Sequence, residues 1–203
     1  ELRRFRVAVG YFTRIPMGTI SGFSDNDLDH ASQYLPWIGL GIGAIAAGVF
    51  WFSTLWLPQP AATVLAVVTG LLMTGCFHED GLADVCDGFG GGFSPADKLR
   101  IMKDSRIGTY GATALWVVLS LRTAILASFD PVLGAVLLVV AHALSRIAPL
   151  VLIYLLDYVQ DAEAARAKPV AQGVPSRGLL VGLAVIVPLG LWQLQLTVVA
   201  GLI

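Results

Sequence analysis

Residues 35–57, LPWIGLGIGAIAAGVFWFSTLWL, contain no charged side chain and decide the class of fold. A helix needs about 20 mostly apolar residues to cross the hydrocarbon core of a bilayer, and this run is long enough. Gly39, Gly41 and Gly43 near its start permit close packing against a second helix. We therefore interpret residues 35–57 as a membrane-spanning helix.

Four further apolar runs follow along the chain, at residues 61–77, 111–129, 132–156 and 178–203. The last of these fits either one tilted span or one span and part of another. Charged residues make up only 13% of the 203 residues and hydrophobic residues 56%, whereas a soluble domain carries roughly 25% charged residues. The pattern predicts an all-α fold: one integral membrane domain over residues 1–203, a polytopic transmembrane helix bundle of about five spans in the lipid bilayer.

The placement of positive charge predicts the orientation of these helices. Of the 13 Lys and Arg residues, only Arg122 and Arg146 lie inside apolar runs, and all the others fall on one side of the predicted membrane. The positive-inside rule makes that side the cytoplasm, and the N-terminus lies there.

Residues 1–17 are too polar to span the membrane, and they are predicted to form an interfacial helix. Cys76 and Cys86 are expected to stay reduced on this side.

An acidic stretch, FHEDGLADVCDGFGGGF at residues 77–93, directly follows the second apolar run. If the helix continues, Asp80, Asp84 and Asp87 fall within about 60° of one face. Like charges so arranged repel, so a positive partner is expected, and carboxylates suit Mg²⁺ or Mn²⁺ held together with substrate phosphates. His78 points off this face and is interpreted as a base or substrate contact. The alternative is a solvated acidic face.

The glycine-rich end of this stretch is expected to let a ligand approach the backbone closely. It is not a Walker loop, because the Gly-Lys-Ser/Thr ending is missing. The glycines are Gly88, Gly90, Gly91 and Gly92.

Residues 94–111, SPADKLRIMKDSRIGTYG, predict a basic helix that begins after Ser94 and ends near Gly108. Ser94 with Asp97 resembles a capping box, and Pro95 suits the first helical position. Cations beside carboxylates suit a polyphosphate, so residues 78–110 are predicted to be a cytoplasmic active-site segment. The positive-inside rule explains Lys98 and Lys103 equally well. The charged residues of this helix are Lys98, Arg100, Lys103, Asp104 and Arg106.

Two arginines within apolar runs, Arg122 and Arg146, are expected to face the bundle interior with a partner, because arginine facing lipid is unfavourable. His142 lies one turn before Arg146 on the same helix face. A structural pairing of Arg146 with an aspartate is the alternative to a role in the site. Arg14 is a weaker candidate for the same cavity.

Four strings carry a resemblance to a known family: TRIP (13–16), FHEDGLADVCDG (77–88), MKDSRIGTYGA (102–112) and SR (145–146). In this order, over most of the chain, they resemble the cobalamin synthase family, the adenosylcobinamide-GDP ribazoletransferases. The resemblance implies a Mg²⁺-dependent enzyme of the bacterial inner membrane with its active site facing the cytoplasm. It would join α-ribazole, or its 5′-phosphate, to adenosylcobinamide-GDP and release GMP. No nucleic-acid partner is expected, and a homo-oligomer stays open.

The resemblance and the residue pattern together assign roles to ten side chains. Asp80, Asp84 and Asp87 would bind Mg²⁺. Asp104 would be a further ligand or the base, with His78 as the other candidate base, and Arg106 would contact the diphosphate. The remaining substrate-binding candidates are Arg14, Arg100, Lys103 and Arg146.

The chain departs from the family at Glu79, where members usually have a leucine, and members generally continue into further hydrophobic and acidic sequence. Two other classes compete with this interpretation. A CDP-alcohol phosphotransferase also has aspartates at a membrane helix exit, but its signature differs after Asp80 and Gly81. A cation transporter would need acidic residues at mid-depth within the spans, and the predicted spans contain none there.

Overall fold

The computed structural model describes residues 1–19, 22, 27, 30–156 and 174–191. In this part of the chain the regular elements are helices, and a 3₁₀ turn at Ala31–Tyr34 precedes α2. The chain divides into two compact units, Glu1–Ile45 with Val136–Ile203, and Ala46–Ala135. The helices are α1 (Leu2–Phe12), α2 (Leu35–Thr54), α3 (Gln59–Thr74), α4 (Phe77–Gly91), α5 (Pro95–Met102), α6 (Thr109–Ala127), α7 (Pro131–Leu144), α8 (Ile147–Leu155) and α9 (Ser176–Leu183).

The predicted class, an all-α membrane protein, is confirmed. Three helical stretches are long and apolar enough to cross a membrane, namely Ala31–Thr54, Thr109–Ala127 and Pro131–Leu155, and α3 with α4 would form a fourth if the pair counts as one span. These match the runs predicted at 35–57, 111–129 and 132–156. The fifth predicted run begins as a shorter apolar helix, Ser176–Leu191, and its residues 192–203 lie outside the described part of the chain.

Prolines set where several helices start and where one is interrupted. Pro36, Pro60 and Pro131 lie in first turns, where their missing N–H and fixed φ are tolerated. Pro149 lies four residues after Ser145, at the break between α7 and α8. A proline ring clashes with the carbonyl four residues earlier, and this accounts for the interruption.

In the unit formed by Glu1–Ile45 and Val136–Ile203, α2 packs closely against α7 through two of the three glycines near its start. A Cβ at Gly39 would lie 2.2 Å from the carbonyl oxygen of His142, and one at Gly43 would lie 2.8 Å from the His142 Cβ. The predicted close packing is therefore confirmed at Gly39 and Gly43. Gly41 has no heavy atom within 4 Å of a built Cβ and does not share that role.

The N-terminal helix is shorter than the predicted 1–17, since α1 ends at Phe12. Its Arg3 donates a 2.8 Å hydrogen bond to the fully buried carboxylate of Asp27. The Phe5 and Tyr34 rings meet edge to face with their centres 5.5 Å apart. These contacts fasten α1 to the segment that leads into α2.

The chain turns sharply where α3 ends, and the expectation of one helix running on into the acidic stretch is wrong. Gly75 and Cys76 both adopt left-handed backbone conformations, with φ of 63° and 60°. Such a φ is uncommon for any residue but glycine. The two helices meet at a bend of 88°, so the acidic residues belong to a separate helix, α4.

Helix α4 lies along α6, a predicted membrane-spanning helix, and does not lead away from it. Arg122, late in α6, donates to Glu79, early in α4, at 3.2 Å. Gly111, early in α6, donates to Asp87, late in α4, at 2.8 Å. The opposite order of the two contacts makes the helices antiparallel.

The predicted partner of Arg122 is confirmed, and it is Glu79, the residue that departs from the family pattern. In the described part of the chain the second Glu79 oxygen, Oε2, is buried without a hydrogen-bond partner, so Glu79 depends on Arg122. We expect Arg122→Leu to lower the free energy of unfolding by about 1–3 kcal/mol, because it leaves a mostly buried carboxylate uncompensated.

A double-mutant cycle measures this interaction. We expect Glu79→Leu combined with Arg122→Leu to recover most of the stability, because an apolar pair replaces both charges. Thermal unfolding of the four proteins in the same detergent provides the measurement. Strictly additive losses in the double variant would contradict a stabilising pair.

Candidate active site

A cavity of about 460 Å³ opens where the ends of α4 and α5 meet the start of α6. The connecting loop, residues 103–108, forms one of its walls. All of these residues belong to the unit Ala46–Ala135. The polar side chains that line the cavity are Asp87, Asp104, Arg106, Thr109 and Tyr110.

The local sequence shapes the loop by starting and ending α5. Ser94 accepts a hydrogen bond from the Asp97 backbone N–H at 3.1 Å and donates its hydroxyl to the Asp97 carboxylate at 2.7 Å. The predicted N-terminal cap is therefore confirmed. The predicted helix end near Gly108 is wrong, because α5 ends at Met102. Asp104 and Arg106 consequently lie in the loop and not on a helix face.

The glycine run brings protein neighbours close to α4. A Cβ at Gly88 would lie 2.8 Å from Met102, and one at Gly92 would lie 2.8 Å from the backbone nitrogen of Lys98. A Cβ at Gly90 would lie 2.4 Å from the Tyr110 ring. These glycines let α5 and α6 pack onto the end of α4. The sequence analysis expected a ligand to approach these glycines and did not predict this packing role.

Asp87 caps α6 from a different helix. Its Oδ2 accepts from the Gly108 N–H at 2.7 Å, its Oδ1 accepts from the Gly111 N–H at 2.8 Å, and the residue is only 9% exposed. Gly108 offers α6 no side-chain cap of its own. The carboxylate therefore satisfies two N-terminal amides and lies at the positive end of the helix dipole.

Two glycines make this cap possible. A Cβ at Gly108 would come within 2.4 Å of the Asp87 carboxylate, and one at Gly111 within 2.5 Å. The spacing of residues along α4 gives no indication of this contact, which depends on how α4 and α6 pack. The sequence does place a glycine at each position that must face the carboxylate.

Arg106 and Asp104 form a bidentate ion pair at the cavity. Arg106 donates through Nε at 3.0 Å to Oδ1 and through Nη2 at 2.7 Å to Oδ2. Its hydrogen bonds and charge lower the pKa of Asp104 to about 2. A lowered pKa means that the pair persists at neutral pH and is lost only as the pH falls toward 2.

The other two predicted metal ligands lie nearer the start of α4. Asp80 is exposed and Asp84 is half-buried. Among the residues that the structure describes, no group of three His, Cys, Asp or Glu side chains is arranged to hold a metal ion. The three aspartates do not form a ready-made cage, and a shared metal ion stays a prediction. Two carboxylates one turn apart do fit Mg²⁺, which usually takes one or two carboxylates, waters and substrate phosphates.

Asp80 and Asp84 do not line the described cavity, and neither do three other predicted site residues of this unit. His78 lies at the start of α4 with its ring edge to face with Phe77, at 5.5 Å between centres. Arg100 is exposed on α5 and pairs with Asp97 at 3.5 Å. Lys103 is exposed directly after α5. Arg106 is therefore the predicted cation that the structure brings to the cavity.

Two predicted residues, Arg14 and Arg146, belong to the unit Glu1–Ile45 with Val136–Ile203. Arg14 is exposed. Arg146 is 6% exposed, and its Nη1 donates to the carbonyl oxygen of His142 at 2.6 Å. This hydrogen bond satisfies a carbonyl in the last turn of α7, where the helix is interrupted.

Apolar spanning helices and a polar cavity that combines carboxylates with a guanidinium define an all-α membrane protein suited to anionic ligands. A family model described as cobalamin-5-phosphate synthase matches residues 4–203. The chain therefore belongs to the cobalamin-5-phosphate synthase family and is a transferase of cobalamin synthesis. Membership in this family removes the CDP-alcohol phosphotransferase and the cation transporter from consideration.

Similar proteins from Shewanella carry the name adenosylcobinamide-GDP ribazoletransferase. The protein of Shewanella sp. strain ANA-3 is 47% identical, with 92% of this chain and 73% of the relative covered. The protein of Shewanella sp. strain W3-18-1 is 46% identical, with 98% of this chain and 79% of the relative covered. The Shewanella oneidensis protein is 46% identical over 92% of this chain and 73% of its own length. No solved structure matches the chain.

Proposed function

We propose that this transferase joins α-ribazole, or its 5′-phosphate, to adenosylcobinamide-GDP and releases GMP in a Mg²⁺-dependent reaction. The observation that carries the proposal is the cavity at the start of α6, where Arg106 offers a guanidinium fork beside a carboxylate. A planar fork of N–H donors matches phosphate oxygens better than a lysine does. The names of the similar Shewanella proteins support the choice of substrates.

The reaction replaces the phosphoanhydride bond of the GDP group with a phosphate ester bond to α-ribazole. A ribose hydroxyl of α-ribazole attacks the phosphorus nearer the cobinamide, and a new O–P bond forms. The P–O bond to GMP breaks, and GMP leaves with the bridging oxygen and its electron pair. The hydroxyl proton passes to a base. For this class of transfer the protein supplies mainly positioning and stabilisation of negative charge.

Asp104 is the best-placed base. It lines the cavity, whereas His78 does not. Its carboxylate is engaged by Arg106 in the substrate-free protein. Diphosphate oxygens that take over the guanidinium would release Asp104, and the pKa of Asp104 would rise toward its ordinary range. A carboxylate released in this way can accept the hydroxyl proton at neutral pH.

Asp80 and Asp84 are the residues that would hold Mg²⁺. Once bound, the ion would neutralise charge on the phosphate oxygens and on the leaving group. The backbone positions of Asp80 and Asp84 lie about 6 Å apart along the axis of α4, since they are four positions apart in the sequence. Asp87 supports the same cavity by holding the start of α6.

We propose that the enzyme lies in the bacterial inner membrane with the loop 103–108 facing the cytoplasm. The support is the one-sided placement of Lys and Arg outside the spans. A charged corrinoid diphosphate cannot cross a sealed bilayer, so inside-out membrane vesicles should release GMP and right-side-out vesicles should not. Equal activity of both preparations would overturn this orientation.

The metal assignment is tested by the Mg²⁺ dependence of GMP release. We expect Asp84→Asn to raise the Mg²⁺ concentration for half-maximal rate by about tenfold or more, because one of few carboxylate ligands is lost. Asp97→Asn removes an exposed carboxylate of α5 and is the matched control, with an unchanged Mg²⁺ response. Unchanged responses in both Asp80→Asn and Asp84→Asn would overturn the metal site. Failure of the wild-type enzyme to release GMP would overturn the reaction.

A further inference from the structure

Tyr110 stands at the rim of the cavity and has no role in the reaction described above. It is the second residue of α6 and lines the cavity together with Arg106. Although it lies in a packed part of the unit, 58% of its surface is exposed. Such exposure of a tyrosine beside a polar cavity calls for an explanation.

The ring of Tyr110 lies flat on the backbone of α4. A Cβ built at Gly90 would lie 2.4, 2.6 and 2.7 Å from Cγ, Cδ2 and Cδ1 of the ring. Nearly equal distances to these three atoms place that position above the face of the ring and not beside its edge. Gly90 therefore supports one face of the ring, while 58% of the surface of Tyr110 stays exposed.

A supported aromatic face beside a guanidinium matches the two parts of a nucleotide. Planar bases stack on the face of a tyrosine ring with little dependence on which base it is, because every base has a flat π-face. The diphosphate of the same molecule would bind Arg106. The cavity, at about 460 Å³, falls in the range of small-ligand pockets, roughly 300–1,000 Å³.

We propose that Tyr110 is a stacking platform for the planar aromatic base of a substrate bound in this cavity. The proposal rests on the proposed function, in which both substrates carry such a base, guanine in the GDP group and the base of α-ribazole. A tyrosine at a membrane interface can also serve as an anchor in the headgroup region. An anchor, however, would not make binding depend on whether the ligand carries a base.

The test compares Tyr110→Leu with Tyr110→Phe, which keeps the ring and serves as the matched control. We expect Tyr110→Leu to raise the KM of one base-carrying substrate about tenfold, with kcat changed by less than about threefold. Inhibition by inorganic pyrophosphate, which has no base, should stay unchanged. Tyr110→Phe should behave as the wild type in all three measurements.

Two measurements identify which aromatic base stacks on Tyr110. Weaker inhibition by GDP assigns the platform to guanine, and a higher KM for α-ribazole alone assigns it to the ribazole base. Equal weakening of GDP, α-ribazole and pyrophosphate would indicate general damage and overturn the platform. Unchanged constants in Tyr110→Leu would overturn it as well.

The result can be separated from failure of the proposed function. Equilibrium binding of GDP and of α-ribazole to the purified wild type and Tyr110→Leu needs no turnover. Weaker binding of one of them in the variant would support the platform even if no GMP were released. Gly90→Ala provides a second variant, since its new methyl group would displace the ring, and it should weaken the same ligand.

Discussion

Asp87→Asn should destabilise the protein even in the complete absence of metal ions. The Asp87 carboxylate accepts from the amides of Gly108 and Gly111 and is almost fully buried. An asparagine offers one acceptor oxygen, and its NH₂ group would face the second amide as a donor. We expect a loss of about 2–4 kcal/mol, from one charge-assisted hydrogen bond, one unsatisfied amide and the lost interaction with the helix dipole.

Thermal unfolding in detergent with EDTA measures this loss. A change of that size should lower the apparent melting temperature by roughly 5–10 °C in a chain of this length. Turnover should fall about a hundredfold as well, because the start of α6 and the loop that carries Arg106 lose their anchor. Asp80→Asn makes the same chemical change at an exposed position of α4 and should leave the EDTA melting temperature unchanged.

The two roles open to Asp87 give opposite results in this experiment. A helix cap contributes stability without Mg²⁺, whereas a metal ligand contributes only when the ion is bound. If Asp87→Asn keeps the wild-type melting temperature in EDTA and loses only stabilisation by Mg²⁺, the cap assignment is wrong. Asp87 would then be a ligand, as its spacing from Asp80 and Asp84 predicts.

The membrane helices could be predicted because hydropathy is summed over long segments. The runs at 35–57, 111–129 and 132–156 each contain few or no charges, so local errors do not change the result. Some helix starts could also be predicted, because certain residue types favour the first positions of a helix for a known physical reason. Ser94 as a cap and Pro95 at a first helical position are examples.

The features that the sequence did not reveal depend on tertiary packing. Gly75 is a common residue at a helix end, but nothing marks Cys76 as a second left-handed residue, and so the 88° bend was missed. The early end of α5 at Met102 has no glycine or proline to signal it before Gly108. The same limit hid the contact of Asp87 with the amides of α6, because residues 21 and 24 positions away supply the donors.

Arg106→Met should lower the rate of GMP release by about a hundred- to a thousandfold. The guanidinium is the cation that lines the cavity in the described structure, and removal of one preorganised donor to developing charge typically has an effect of this size. Arg106→Lys should recover part of the rate, since it restores charge but not the bidentate geometry. Lys98→Met is the control, because Lys98 packs over the Phe89 ring at 4.4 Å and does not line the cavity.

The pH dependence of Arg106→Met distinguishes a direct role of Arg106 in catalysis from an indirect effect through the charge of Asp104. Arg106 holds the pKa of Asp104 at about 2, so Asp104 is ionised throughout the range in which the enzyme can be assayed. In Arg106→Met that pKa should rise toward its ordinary value near 4, and at neutral pH the carboxylate still stays charged. The loss of rate in Arg106→Met should therefore be the same at pH 6 and pH 8.

Asp104→Asn completes the comparison. If Asp104 is the base, the variant should lose rate at saturating substrate, while its KM falls because Arg106 no longer has a competing carboxylate. If Asp104 only pairs with Arg106, the KM should fall and the rate should be kept. A rate for Arg106→Met within about threefold of the wild type would contradict the assignment of this loop to the diphosphate.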